Sequence, residues 1–127
     1  MKSHTEIRPL LSIQPSQFYI SQCKLEDVLA WMAVGGVNLF DPLPIKDLNG
    51  KVIFTDGHTR AYAAYTLGIS EIPVYCDTDE LDWEAYQCCV EACQREGINT
   101  IADLQGRVVS EADYRDLWDA WCDQLHE

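Results

Sequence analysis

The sequence predicts a small α/β (α+β) domain carrying a helical C-terminal extension. Short runs of branched residues alternate with helical patterns over residues 1–78, in the order strand, helix, strand, strand, helix, strand. From residue 79 onward the apolar spacing is helical throughout. The 127 residues suffice for one domain with its own core, and no repeat or Pro/Gly/Ser-rich linker divides them. Residues 1–78 are therefore read as the core, and 79–127 as an acidic helical extension packed on it within one structural domain.

The first 20 residues read as extended, because Pro9 and Pro15 disfavour helix and branched or aromatic residues surround them. Ser21 is placed to cap a helix in which Leu25, Val28, Leu29 and Met32 form one apolar face, and Gly35-Gly36 ends it. Phe40 to Gly57 reads as two short strands about Asn49-Gly50, a strong hairpin dipeptide, with Lys51 to Thr55 as the second strand. Thr59 to Leu67 is a helix stopped by Gly68, and Glu71 to Asp77 is another strand. Asp79 or Asp82 caps a helix running to about Glu96, ended by Gly97. Thr100 to Leu104 forms one turn. Ser110 with Asp113 resembles a capping arrangement for the last helix, along which Tyr114, Leu117, Trp118, Trp121 and Leu125 form an unbroken stripe. Two tryptophans on such a stripe dock the helix onto the domain or onto a partner subunit.

Composition narrows the function classes. The chain is 47% hydrophobic and 24% charged, the balance of a soluble globular protein. No apolar run approaches a membrane span, and the N-terminus lacks a signal-peptide h-region, so a cytoplasmic location is expected. The formal charge of −12 is unevenly placed. Residues 1–70 balance six acids with six bases, whereas residues 71–127 hold fifteen acids against Arg95, Arg107 and Arg115. Such a surface repels a phosphate backbone, so direct DNA binding is disfavoured, while a single phosphorylated small molecule suits the balanced half. Without CxxC spacing the six cysteines read as reduced, mostly buried thiols. Cys89 and Cys93 alone are an incomplete metal site, and no metal centre is expected.

The segment with chemical content is Asp56-Gly57-His58-Thr59-Arg60. A strand that turns on glycine into a helix presents unpaired N–H groups, and these with the helix dipole favour an anion. Gly57 permits close approach, and Arg60 in the first turn opposes the dipole unless an anion lies between them. His58 and Thr59 add donors, and Ala61, Ala63 and Ala64 let the helix pack closely on the sheet. The alternative is a tight turn in which Asp56 caps the helix and His58 and Arg60 are solvated or paired with acids. Tyr62 and Tyr65 read as packing residues rather than a stacking platform for a base.

Leu43 to Cys76 resembles the core of the ParB/sulfiredoxin-like superfamily, the ParB-like nuclease and nucleotide-binding domains. The matching pieces are Pro44-Ile45, then Gly57, Arg60 and Ala63 as Gly-x-x-Arg-x-x-Ala, then Leu67-Gly68 followed by Ile72-Pro73-Val74. With the N-terminal strand and helix, the resemblance covers roughly residues 7–78. It implies a small mixed sheet and a turn that binds nucleotide phosphates through Gly57, His58, Thr59 and Arg60. The cofactor implied is ATP, ADP or CTP, with Mg²⁺ as the accompanying ion. Sulfiredoxins carry Gly-Cys-His-Arg, and this turn has no cysteine. Partition proteins carry Gly-Glu-Arg-Arg and a DNA-binding helix-turn-helix, and neither is present here. Asp56 to Arg60 is closer to the free-serine-kinase-like members, which implies phosphotransfer or NTP hydrolysis with Asp56 and His58 as catalytic residues. The general base is unmarked, with Glu26, Asp27 and Asp41 as candidates. A reading of another class is a non-enzymatic adaptor or partition-related domain that binds a protein partner through its C-terminal helices. Nuclease activity is disfavoured by the charge.

Overall fold

The computed structural model describes residues 5–35 and 41–124. β1 (Thr5–Pro9) leads into a 3₁₀ turn (Leu10–Ser12), and β2 (Ile20–Ser21) leads into α1 (Gln22–Gly35). The Ser21 Oγ accepts from the Lys24 N–H at 3.4 Å, which makes Ser21 the cap anticipated from sequence. Leu25 and Met32 are buried on α1, with Val28 and Leu29 half-buried beside them. Gly36, His4, Leu125 and His126 lie outside the described residues.

β3 (Leu43–Leu48) and β4 (Lys51–Phe54) form the anticipated hairpin. Asn49 and Gly50 both have positive φ, 54° and 86°, the backbone that a tight two-residue connection demands. α2 (His58–Thr66) and β5 (Glu71–Cys76) follow. The four-stranded sheet has the order β1-β5-β3-β4, with β5 antiparallel to β1 and parallel to β3, and β3 antiparallel to β4. This is the mixed sheet that the resemblance implied.

α3 (Trp83–Arg95) is capped by the Asp82 carboxylate, which accepts from the Ala85 N–H at 3.0 Å. It buries Cys89, Val90, Ala92 and Cys93. A 3₁₀ turn (Ile101–Leu104) starts on a capping box between Thr100 and Asp103. β6 (Val108–Val109) then pairs in parallel with β2, a second, two-stranded sheet that the sequence pattern did not announce. Leu10, Ile13, Leu43, Phe54, Ile72 and Val74 share one buried cluster with Cys93, Ile98, Ile101 and Leu104, so residues beyond 79 contribute to the core around the sheet. Ala61, Ala63 and Ala64 are fully buried where α2 meets α1 and the Ile101–Leu104 turn.

The last helical stretch departs from a regular stripe. α4 (Glu111–Tyr114), capped by Ser110, runs into a π-helical segment (Arg115–Asp119) and then α5 (Ala120–Gln124). The wider π turn shifts the face, so Leu117 is 45% exposed while Trp118 is buried. Trp118 and Trp121 stack at 5.4 Å, and both lie against Phe18, at 5.3 and 4.8 Å. The cysteines are free, and fewer are buried than composition suggested. Cys89 and Cys93 are buried and Cys122 half-buried, whereas Cys23, Cys76 and Cys88 are exposed.

Candidate functional site

Two neighbouring strands aim the turn. The Thr55 N–H donates to Pro44 O at 3.2 Å and the Asp77 N–H to Ile45 O at 2.7 Å, pinning the ends of β4 and β5 across the start of β3. Gly57 then enters α2 as its N-cap with φ +76°. A Cβ there would lie 2.8 Å from Leu43 Cδ2, inside contact distance of a fully buried side chain. The positive φ and the closeness of Leu43 both favour glycine at this position. Asp56 does not cap the helix; its carboxylate accepts from the Gly57 N–H at 2.8 Å. The first bond closing the helix runs from the Ala61 N–H to Gly57 O at 2.9 Å, and no side chain caps the end. The amides of His58, Thr59 and Arg60 thus lack intrahelical partners at the positive end of the helix dipole.

A cavity of about 430 Å³ opens over this end. Gly57, His58, Thr59 and Arg60 line it from the turn, Lys24 and Asp27 from α1, and Tyr114 from the far side. The Arg60 guanidinium folds back over the turn, since a Cβ on Gly57 would stand 3.4 Å from its Nη2. Among the described residues Arg60 makes no ion pair within 4 Å. Lys24 sits with its Nζ 5.3 Å from the centre of the Tyr114 ring. Lys24 had no role in the sequence reading, although it is the only Lys or Arg between Arg8 and Lys46. Of the candidate bases, Asp27 lines this cavity, while Asp41 joins Asp27, Trp31 and Arg60 in an adjoining 250 Å³ recess. Glu26 lines neither recess; it accepts from the Gln22 amide on the same helix.

His58 turns inward. It is 4% exposed, and its Nε2 accepts from the Ser16 N–H at 2.9 Å. Ser16 is delivered there by the preceding segment. Gln14 bridges to Ile53 alongside β4, donating its N–H to Val52 O and accepting from the Phe54 N–H, both at 2.9 Å. Because Nε2 accepts, the neutral ring carries its proton on Nδ1, which has no partner. Burial holds the imidazole pKa down to about 4, the charge of Asp56 offsetting part of that drop. His58 is therefore a neutral ring that ties the turn to the N-terminal segment.

On the other side of Asp56 and His58 lies a second cavity of about 420 Å³, lined by Asp77, Asp79, Tyr86 and Trp118 among others. Asp77 is buried; its carboxylate accepts from Thr55 Oγ1 at 2.8 Å and from the Asp79 N–H at 2.9 Å. This cavity is not legible in the sequence, because its walls come from four separate stretches of chain. Tyr62 is buried and packs on Tyr65 at 6.0 Å, as the packing reading expects. Among the described residues no group of three or more His, Cys, Asp and Glu side chains is arranged to hold a metal ion. None of the described helices is long and apolar enough to cross a membrane.

No protein-family model and no curated protein matches the chain. Solved structures do. A free serine kinase in complex with AMP superposes with a TM-score of 0.54 at 20% identity, over 61% of this chain and 32% of its own. A conserved hypothetical protein from Pyrococcus furiosus superposes at 0.55 and 23% identity, over 63% and 35%. The chain has the ParB/sulfiredoxin-like fold. A sulfiredoxin from Arabidopsis thaliana aligns over 68% of this chain and 96% of its own, with a TM-score of 0.49 and 18% identity. This ParB/sulfiredoxin-like chain spans about a third of the length of the first two structures. The likeness is one of fold, and the chemistry of the turn has to be argued from its own residues.

Proposed function

We propose that this chain binds a nucleotide by its phosphates at the Gly57–Arg60 turn. One observation carries the reading: an uncapped nine-residue helix whose open amides face a cavity shared with Arg60 and Lys24, two cations without carboxylate partners within 4 Å among the described residues. Phosphate oxygens satisfy the Thr59 and Arg60 amides, and the two side chains neutralise their charge. Asp56 is exposed and lines the same cavity. One carboxylate with phosphate oxygens and waters is a common Mg²⁺ environment, so Asp56 is the residue that would hold an ion carried on the phosphates. The ion would supply further neutralisation of phosphate charge. Asp27, across the cavity, is the carboxylate best placed to accept a proton from a hydroxyl or water if the bound nucleotide is turned over.

That the AMP-bound free serine kinase shares the fold supports the nucleotide class. The test is calorimetry with ATP, ADP, AMP and CTP, each with and without Mg²⁺. At least one should bind saturably, and Arg60→Ala and Lys24→Ala should each weaken it by roughly 10- to 100-fold, the loss of a charge-assisted phosphate contact. Absence of binding by all four, or unaltered affinity in both variants, refutes the reading.

A further inference from the structure

The two edges of the four-stranded sheet are treated differently. Along β4 the Gln14 backbone takes up the outward groups, its N–H donating to Val52 O and its carbonyl accepting from the Phe54 N–H. Among the described residues no strand pairs with the outer edge of β1. The direction of each β1 amide follows from the ladder. The Leu10 N–H donates to Ser70 O at 2.9 Å, and the register sets Arg8 opposite Ile72 and Glu6 opposite Val74. Antiparallel bonding alternates, so Glu6 and Arg8 turn their N–H and C=O groups to β5. Pro73, opposite Ile7, has no N–H, which agrees with a non-bonded pair there. Thr5 and Ile7 therefore present N–H and C=O outward, and Pro9 a carbonyl alone. Such an edge is a template for another strand. Ile7, in its middle, is 62% exposed.

We infer that the occupant of this edge is a second copy of the chain, its β1 laid antiparallel on this β1 about a two-fold axis at Ile7. Charge complementarity selects that occupant and its register. With Ile7 opposite the partner's Ile7, Glu6 faces the partner's Arg8 and Arg8 faces the partner's Glu6, with opposed side chains on one face. Glu6 and Arg8 already pair along the strand, Arg8 Nε donating to Glu6 Oε1 at 2.8 Å, so the two-fold closes a ring of four alternating charges. The Ile7 N–H donates to the carbonyl of the partner's Ile7 and the Thr5 N–H to that of the partner's Pro9. Pro9 O accepts from Ser12 Oγ at 2.7 Å and keeps a second lone pair for this bond. A slip of two residues either way sets Glu6 against Glu6 or Arg8 against Arg8. Charges that ordinarily keep edges apart thus fix one register here. The formal charge of −12 opposes association, but its excess lies beyond residue 70, and β1 carries one charge of each sign. Five residues a side bury far less than the roughly 1,200 Å² at the lower end of standard interfaces, so the dimer is a weak one.

Sedimentation of the intact protein from about 10 μM to about 1 mM, the span suited to a small interface, should show a concentration-dependent dimer. Amide exchange followed by NMR locates it. Exchange at Ile7 should slow severalfold as concentration rises, whereas Glu6 and Arg8, bonded to β5, should keep one rate throughout. Glu6→Arg and Arg8→Glu each set like charges opposite one another, and each alone should stay monomeric with unaltered circular dichroism. Mixed in equal amounts, these two variants become complementary, and the dimer should return. The double variant Glu6→Arg/Arg8→Glu should dimerise like the wild type. A wild type that stays monomeric up to about 1 mM, a dimer that leaves Ile7 exchange unmoved, or no dimer on mixing the two single variants would overturn the assignment.

Discussion

His58 makes the fold sensitive to mild acid, and the size of the effect follows from its burial. An unfolded histidine takes up its proton near pH 6.5, whereas in the fold it does so only near 4. Between those values the unfolded state binds more protons, so stability is full above about pH 6.5 and is lost as pH falls towards 4. At 1.36 kcal/mol per pH unit, the loss at pH 5 is about 2 kcal/mol, and once both states are protonated it reaches about 3 kcal/mol. The chain's many carboxylates have their own pH dependence, so the measurement has to be a difference. His58→Gln retains an acceptor for the Ser16 N–H but does not titrate. Urea unfolding of both proteins at pH 7.5 and pH 5 should show the wild type losing about 2 kcal/mol more than the variant. The His58 ring resonances should meanwhile hold the neutral position through pH 5. A His58 titration near 6.5, or identical pH slopes in the two proteins, would refute the claim that this imidazole is buried neutral.

Two further outcomes test the surroundings of the turn. Gly57→Ala should cost about 1–3 kcal/mol in urea unfolding, since the +76° backbone is strained for alanine and the new methyl meets buried Leu43; a loss below about 0.5 kcal/mol would mean that Leu43 and the turn relax freely. Native alkylation with iodoacetamide at pH 8 should modify Cys23, Cys76 and Cys88 and spare Cys89 and Cys93, whose thiols burial pushes up to about 12, with mass spectrometry of peptides giving the order.

Much of this fold could be read locally. Asn49-Gly50 marked a hairpin because both residues tolerate positive φ, and the Ser21, Asp82 and Ser110 caps fell where short polar side chains precede apolar spacing. The turn at Gly57 was legible for the same reason. What escaped was set by distance along the chain. The β2–β6 ladder pairs two residues with two others nearly ninety positions away, too short for any periodicity to register. The bend in the last helix escaped too, because apolar spacing presumes 3.6 residues per turn and the π segment does not obey it.

The site itself divided along the same line. Sequence reasoning placed Asp56 to Arg60 together because they are consecutive, and it gave His58 to the phosphate as a further donor at the helix start. In the fold that ring is buried, with Nε2 accepting from the Ser16 amide and Nδ1 without a partner. The consequence is a partition of charge that composition alone only hinted at. Lys24 and Arg60, with Asp27, stand on one side of the Asp56–His58 pair, and Asp77 and Asp79, with no Lys or Arg, on the other. A neutral His58 preserves this arrangement, since a protonated ring would add a cation to both cavities. Asp56→Asn should therefore remove the Mg²⁺-dependent part of nucleotide affinity in calorimetry while leaving the Mg²⁺-free affinity unreduced, and an equal loss with and without Mg²⁺ would refute the placement of the ion on Asp56.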